Sequence, residues 1–144
     1  MMKKIKNICF LALVFTIAGT QAQTVFGKWE TINEETGKPN SIIEIFEEDG
    51  QVHGKVVRIL KEEDRERTCN NCDGHLKDQP IEGLQLMTGM EKTGSEYSGG
   101  VIVDPESGKE YKCKIWLDES NPDLLKVRGY IAFFYKTKTW QRLE

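Results

Sequence analysis

Two cysteines three residues apart, Cys69-Asn-Asn-Cys72, with His75 three positions further on, are the most reactive-looking group in the chain. Three chemistries suit that spacing. A disulfide would clip the segment locally, the usual fate of such a pair in an oxidising compartment. A dithiol redox centre would need one thiol activated by a helix N-terminus or a cation. Arg65 and Arg67 are near in sequence, but no helical or βαβ pattern follows them. A Cys-x-x-Cys-x-x-His metal site would be one ligand short of a tetrahedral set, and His53 is distant in sequence. The residues favour the structural disulfide and imply no metal and no cofactor. No paired-His motif and no nucleophile–base signature occurs in the sequence, so a non-enzymatic role is expected.

Two other groups carry side chains that could act. Cys113 is left over from the pairing; its sequence parity with Tyr111 and Ile115 points it inward, as a small hydrophobe. Arg128, Tyr130, Trp116 and Trp140 read as an outer surface where long basic stems cover aromatic rings. A second reading makes them a recognition patch, since Tyr, Trp and Arg are enriched at binding hot spots.

Before the elements that position these groups can be drawn, residues 1–22 are set aside. Lys3, Lys4 and Lys6 precede an apolar stretch from Ile8 to Ala18, and Thr20-Gln21-Ala22 supplies small residues for cleavage before Gln23. That three-part layout is a secretory signal. The apolar run is far short of the ~20 residues a spanning helix needs, and Cys9 has no lipobox before it. A periplasmic or secreted protein without membrane insertion is expected, with one domain over 23–144. Without the three signal lysines, 17 Lys+Arg stand against 23 Asp+Glu, a formal charge of −6. Such a balance repels phosphate backbones, so no nucleic-acid partner is expected. Ala132 is the only alanine beyond residue 22, which argues against a helical protein.

Alternation of apolar and polar residues then dominates. Tyr111, Cys113, Ile115 and Leu117 share one face, with Lys112, Lys114 and Trp116 opposite; Leu125, Val127, Gly129 and Ile131 repeat the pattern. Asp49-Gly50 marks a tight hairpin, and Gly94, Pro105-Gly108 and Pro122 mark further turns. Strands are predicted over 24–32, 40–47, 51–60, 83–90, 96–103, 109–118, 124–132 and 135–143. Eight antiparallel strands in a meander close into an up-and-down all-β barrel, because closure removes both exposed edges. Residues 132–135 lack any turn residue, so one long bent strand is the alternative to a last hairpin. The Lys61–Pro80 connection is far longer than a hairpin loop and could lie across the mouth.

Gly27-Lys28-Trp29 in the first strand, with Arg142 in the last, resembles the signature of calycins, the group that includes lipocalins. In that resemblance the indole plugs one end and the basic side chain packs over it, a cation–π contact worth about 0.5–2 kcal/mol. The chain also resembles a bacterial exported family catalogued as domain of unknown function 2147. The matching pieces are Gly27-Lys28-Trp29, Thr36-Gly37-Lys38-Pro39, Glu48-Asp49-Gly50, Cys69-Asn70-Asn71-Cys72, Asp104–Lys109, Val127–Tyr130 and Trp140-Gln141-Arg142. The resemblance implies a small exported barrel and supplies no catalytic residues. The longest loop follows the third strand, where in lipocalins it follows the first. The expected function is therefore a binding barrel for a small apolar or amphipathic molecule. Ile43, Ile45, Tyr111, Cys113, Ile115, Val127 and Ile131 would line the pocket, Gly129 would leave room, and Gly27, Trp29 and Arg142 would close the end. A thiol redox protein built on Cys69 and Cys72, or an envelope interaction module built on Arg128 and Trp116, are the competing expectations.

Overall fold

The computed structural model describes residues 23–143; the expected signal segment, with Cys9, lies outside the described residues. Eight strands follow one another: β1 (Gly27–Ile32), β2 (Pro39–Glu48), β3 (Gln51–Ile59), β4 (Gln85–Thr93), β5 (Glu96–Val103), β6 (Glu110–Leu117), β7 (Leu124–Ile131) and β8 (Phe134–Arg142). Each pairs antiparallel with its sequence neighbour, and β8 returns to β1, so the sheet is a closed up-and-down barrel.

Local chemistry explains most of the turns. Asp49 and Gly50 both adopt positive φ, +53° and +76°, the backbone that a two-residue hairpin turn with the right twist requires. The last hairpin is a finding that the turn residues did not announce. Ile131 pairs with Phe134, so β7 and β8 are joined by Ala132-Phe133, with Ala132 held at φ +49°. The chain reverses there because cross-strand pairs from Leu124–Gln141 to Ile131–Phe134 outweigh the strain of one alanine. β4 begins later than the alternation indicates. Gly83 and Leu84 instead hydrogen-bond with Val56, Gly83 N donating to Val56 O at 2.7 Å and Val56 N to Leu84 O at 2.9 Å.

The interior is a packed core in its lower half. Trp29, Ile43, Ile45, Val52, Val56, Met87, Met90, Ile115, Leu125 and Trp140 are all buried, and each such apolar side chain contributes about 1.5–3 kcal/mol. Methionines fill the spaces beside two inward glycines. A Cβ on Gly54 would sit 2.8 Å from Met87 Sδ, and one on Gly100 would sit 2.5 Å from Met90 Cγ. Gly129 leaves no void either, because the Tyr111 ring leans over it, with a Cβ there only 3.4 Å from Tyr111 Cβ. Trp140, grouped by sequence with the outer aromatics, belongs to this core; it is paired with buried Leu125.

Candidate functional site

The lower end is built around Trp29. Its indole Nε1 donates to Val25 O at 2.9 Å, and the Arg142 guanidinium stacks on the ring at 4.2 Å. Arg142 then spends its fork on main-chain carbonyls, with Nη2 donating to Thr24 O at 2.9 Å and to Pro122 O at 3.1 Å. Its Nε lies 3.3 Å from Asp123 Oδ1, close enough for an ion pair though not aligned as a hydrogen bond. Gly27, at φ +116°, brings the chain past with its Cα side 4.0 Å from Arg142 Nη1 for an added Cβ. One planar cation thus ties the start of β1, the β6–β7 loop and the end of β8.

The Cys69–Cys72 pair is a disulfide, and both residues are buried. It belongs to a built segment, not a free strap. Residues 60–84 hold two short 3-10 turns, Glu62–Asp64 and Gly74–Leu76, and an isolated bridge between Thr68 and Pro80. Asn71 Nδ2 donates to Glu106 O at 2.7 Å, and Arg67 lies 3.8 Å from Glu106. Gly108 is pressed so closely on this segment that a Cβ there would collide with the Asn71 carbonyl. Ile81 and Leu84 send the segment's apolar side chains into the core. Burial of both sulfurs removes the access that thiol–disulfide exchange needs. Among the described residues no three His, Cys, Asp or Glu side chains gather as metal ligands.

Cys113 is unpaired and buried, and desolvation pushes its thiol up to about 12. On the outer wall Arg128 is clasped between Trp116, at 5.0 Å, and Tyr135, at 4.2 Å, and its Nε donates to Thr137 Oγ1 at 2.7 Å. These contacts hold the Arg128 guanidinium against the outer wall.

The open end is different. There the β1–β2 turn, residues 60–84, the β5–β6 turn and the β7–β8 hairpin come together. Cross-strand partners share a face, so the pairs Ile102–Tyr111 and Ile131–Phe134 continue the interior wall upward, joined by the β6–β7 register. Unlike the residues below, these are accessible: Ile131 is 52% exposed and Phe134 74%, while Ile102 and Tyr111 are half-buried. A cleft of about 490 Å³ opens at this end, lined by Asn71, Asp73, Leu76, Lys109, Glu110 and Ile131 among others. Of the wall residues Ile131 reaches it, while Val103 and Glu110, also in its lining, pair on the face opposite Ile102 and Tyr111.

The expected lining residues therefore divide. Ile43, Ile45, Cys113, Ile115 and Val127 are at most 5% exposed and make up the filled lower core, because an eight-stranded barrel is barely wider than the side chains inside it. Tyr111 and Ile131 alone reach the open end. The sequence reading left out Ile102 and Phe134 from this wall; the signal for Phe134 was present, since it shares parity with Arg142, already placed at the inner closure.

The family model for an uncharacterized protein conserved in bacteria, DUF2147, matches residues 27–142. Among solved structures, the chain is similar to protein HP1028 from the human pathogen Helicobacter pylori, described as belonging to the lipocalin family. The two share 19% identity with a TM-score of 0.73, over 85% of each chain, a likeness of fold. No curated protein matches. With the matched region running from the glycine that opens β1 to the arginine that closes the barrel, the chain belongs to the DUF2147 family and has a lipocalin-like barrel.

Proposed function

We propose that this protein is an exported binding barrel that takes a small amphipathic molecule at its open end. The observation that carries the reading is the division of the interior. Below, large apolar side chains fill the lumen; above, the same wall continues as accessible apolar surface at Ile102, Tyr111, Ile131 and Phe134, with Ile131 also lining the cleft of about 490 Å³. Soluble domains rarely leave contiguous apolar surface on a concave wall without a partner. The disulfide of Cys69–Cys72 supports export, since such bonds persist in oxidising compartments. The buried disulfide favours this reading over a thiol redox protein, and the internally clasped Arg128 favours it over an outer recognition patch.

The test is native mass spectrometry of freshly purified protein together with titration of an apolar fluorescent probe. Saturable binding that is lost in Ile131→Asp and Phe134→Asp, both exposed positions where a charge does not threaten the core, is the expected result. Equal probe binding by wild type and both variants would remove the open end as the site.

A further inference from the structure

β8 carries two cations on the inside of the barrel wall. Its partners on β7 are Leu125 with Trp140, Val127 with Lys138, Gly129 with Lys136, and Ile131 with Phe134. Leu125, Val127 and Trp140 are buried in the core, so the face they share is the interior one, and Lys136 and Lys138 stand on it. The alternate residues confirm the sense: Arg128 bonds Thr137 and Tyr130 packs on Tyr135 along the outer wall.

These inward lysines escape burial because the barrel has a seam. Among the described residues β1 pairs with β8 only at Trp29–Arg142 and Glu30–Gln141; beyond that, the β1 edge of β8 from Phe134 to Thr139 has no strand partner there. One side chain bridges the gap. Glu34, in the β1–β2 turn, places Oε2 2.7 Å from Lys136 Nζ. The hydrogen bond from Lys136, with the charge of Lys138 adding to it, holds the Glu34 carboxyl below the usual carboxylate range. Among the described residues Lys138 has no carboxylate within ion-pair distance. Two cations therefore face one carboxylate, borne on a turn, just below the accessible apolar wall, since Lys136 and Lys138 pair with Gly129 and Val127, lower on β7 than the Ile131–Phe134 pair.

We propose that Lys136 and Lys138 form the head-group site for an anionic single-chain amphipath, whose charged group takes the place of the Glu34 carboxylate while its chain lies over Ile131, Phe134 and Tyr111. This rests on the open-end binding reading above and adds to it the ligand's charge and polarity. A carboxylate and a phosphate ester share the necessary chemistry, an oxyanion that accepts charge-assisted hydrogen bonds from two ammonium groups.

Calorimetric titration with dodecanoate, dodecyl phosphate and the uncharged methyl dodecanoate, each below its aggregation concentration, tests the proposal. Both anions are expected to bind about tenfold or more tightly than the ester, the effect of one charge-assisted hydrogen bond. The ratio of dodecanoate to dodecyl phosphate then assigns the head group as carboxylate or phosphate. Lys136→Gln with Lys138→Gln should erase the preference without lowering ester affinity, and the Lys136→Arg/Lys138→Arg variant should keep it. Glu34→Gln should strengthen anion binding by up to about fivefold, the worth of an exposed ion pair, and leave the ester unchanged. Lys92→Gln with Lys28→Gln, the same loss of two charges away from the open end, controls for net charge. Equal affinity for acid and ester in the wild type, or a preference that survives the double Gln variant, overturns the head-group site while leaving the apolar site intact. Binding of none of the three compounds overturns both.

Discussion

Replacing Arg142 with Ala should open the barrel where β8 meets β1. The guanidinium stacks on Trp29 at 4.2 Å, donates to the carbonyls of Thr24 and Pro122, and lies beside Asp123. The stacking is worth about 0.5–2 kcal/mol and a hydrogen bond to a charged group about 1.5–3 kcal/mol. These terms are not additive, and the freed carbonyls of Thr24 and Pro122 lie near the surface, where water replaces part of the loss. The expected cost is therefore about 2–4 kcal/mol, a fall of roughly 8–16 °C in Tm for a domain of this size. Closure depends on only two β1–β8 pairs, so the loss should be local: amide exchange in β1 and at the end of β8 should quicken before β4–β6 respond. Arg142→Lys, which retains the charge but not the fork, should recover less than half of the loss. Urea denaturation of the three proteins, with hydrogen exchange on Arg142→Ala, measures both expectations. A change below about 0.5 kcal/mol would refute the closure argument, since that is the range of ordinary surface substitutions. So would exchange that rises uniformly through all eight strands.

Four further outcomes follow from single positions. Gly108→Ala should cost about 2 kcal/mol or more, because φ is +72° and the new methyl would collide with Asn71 O; chemical denaturation reads it, and a cost under 1 kcal/mol would show that residues 60–84 do not press on the β5–β6 turn. Ala132→Gly should be stabilising by about 0.5–1 kcal/mol, since glycine adopts the φ of +49° without a Cβ clash; thermal melts decide it. Cys113 should resist alkylation in the folded protein and react on unfolding. Because burial raises its folded pKa to about 12, its contribution to stability is complete below the unfolded pKa near 9. That contribution falls by up to about 1.4 kcal/mol per pH unit between the two values, a slope that Cys113→Ala should remove. Breaking the Cys69–Cys72 link by paired Ser substitution should cost about 2 kcal/mol from the small ring's entropy, plus what is lost by burying two hydroxyls; equilibrium unfolding with and without reductant separates the terms.

What the sequence determined by itself was the set of strands and their order in an antiparallel barrel. Alternation along Tyr111–Leu117 and Leu125–Ile131 is a local property of the pleat, readable without knowing any neighbour, and Asp49-Gly50 carries its own turn geometry. The pairing of Trp29 with Arg142 was expected from the resemblance of Gly27-Lys28-Trp29 and Arg142 to the calycin signature, and the closed meander brings the two together. Tertiary structure alone decided what the barrel encloses. Whether Gly54, Gly100 and Gly129 leave a void depends on Met87, Met90 and Tyr111, which arrive from other strands. The turn at Ala132-Phe133 depends on eight cross-strand pairs acting together, with no residue that favours it locally. The seam beside Lys136 and Lys138 depends on where β1 leaves β8. Each of these is set by register between strands far apart in the chain, and register is a sum of many small contacts that no single residue records.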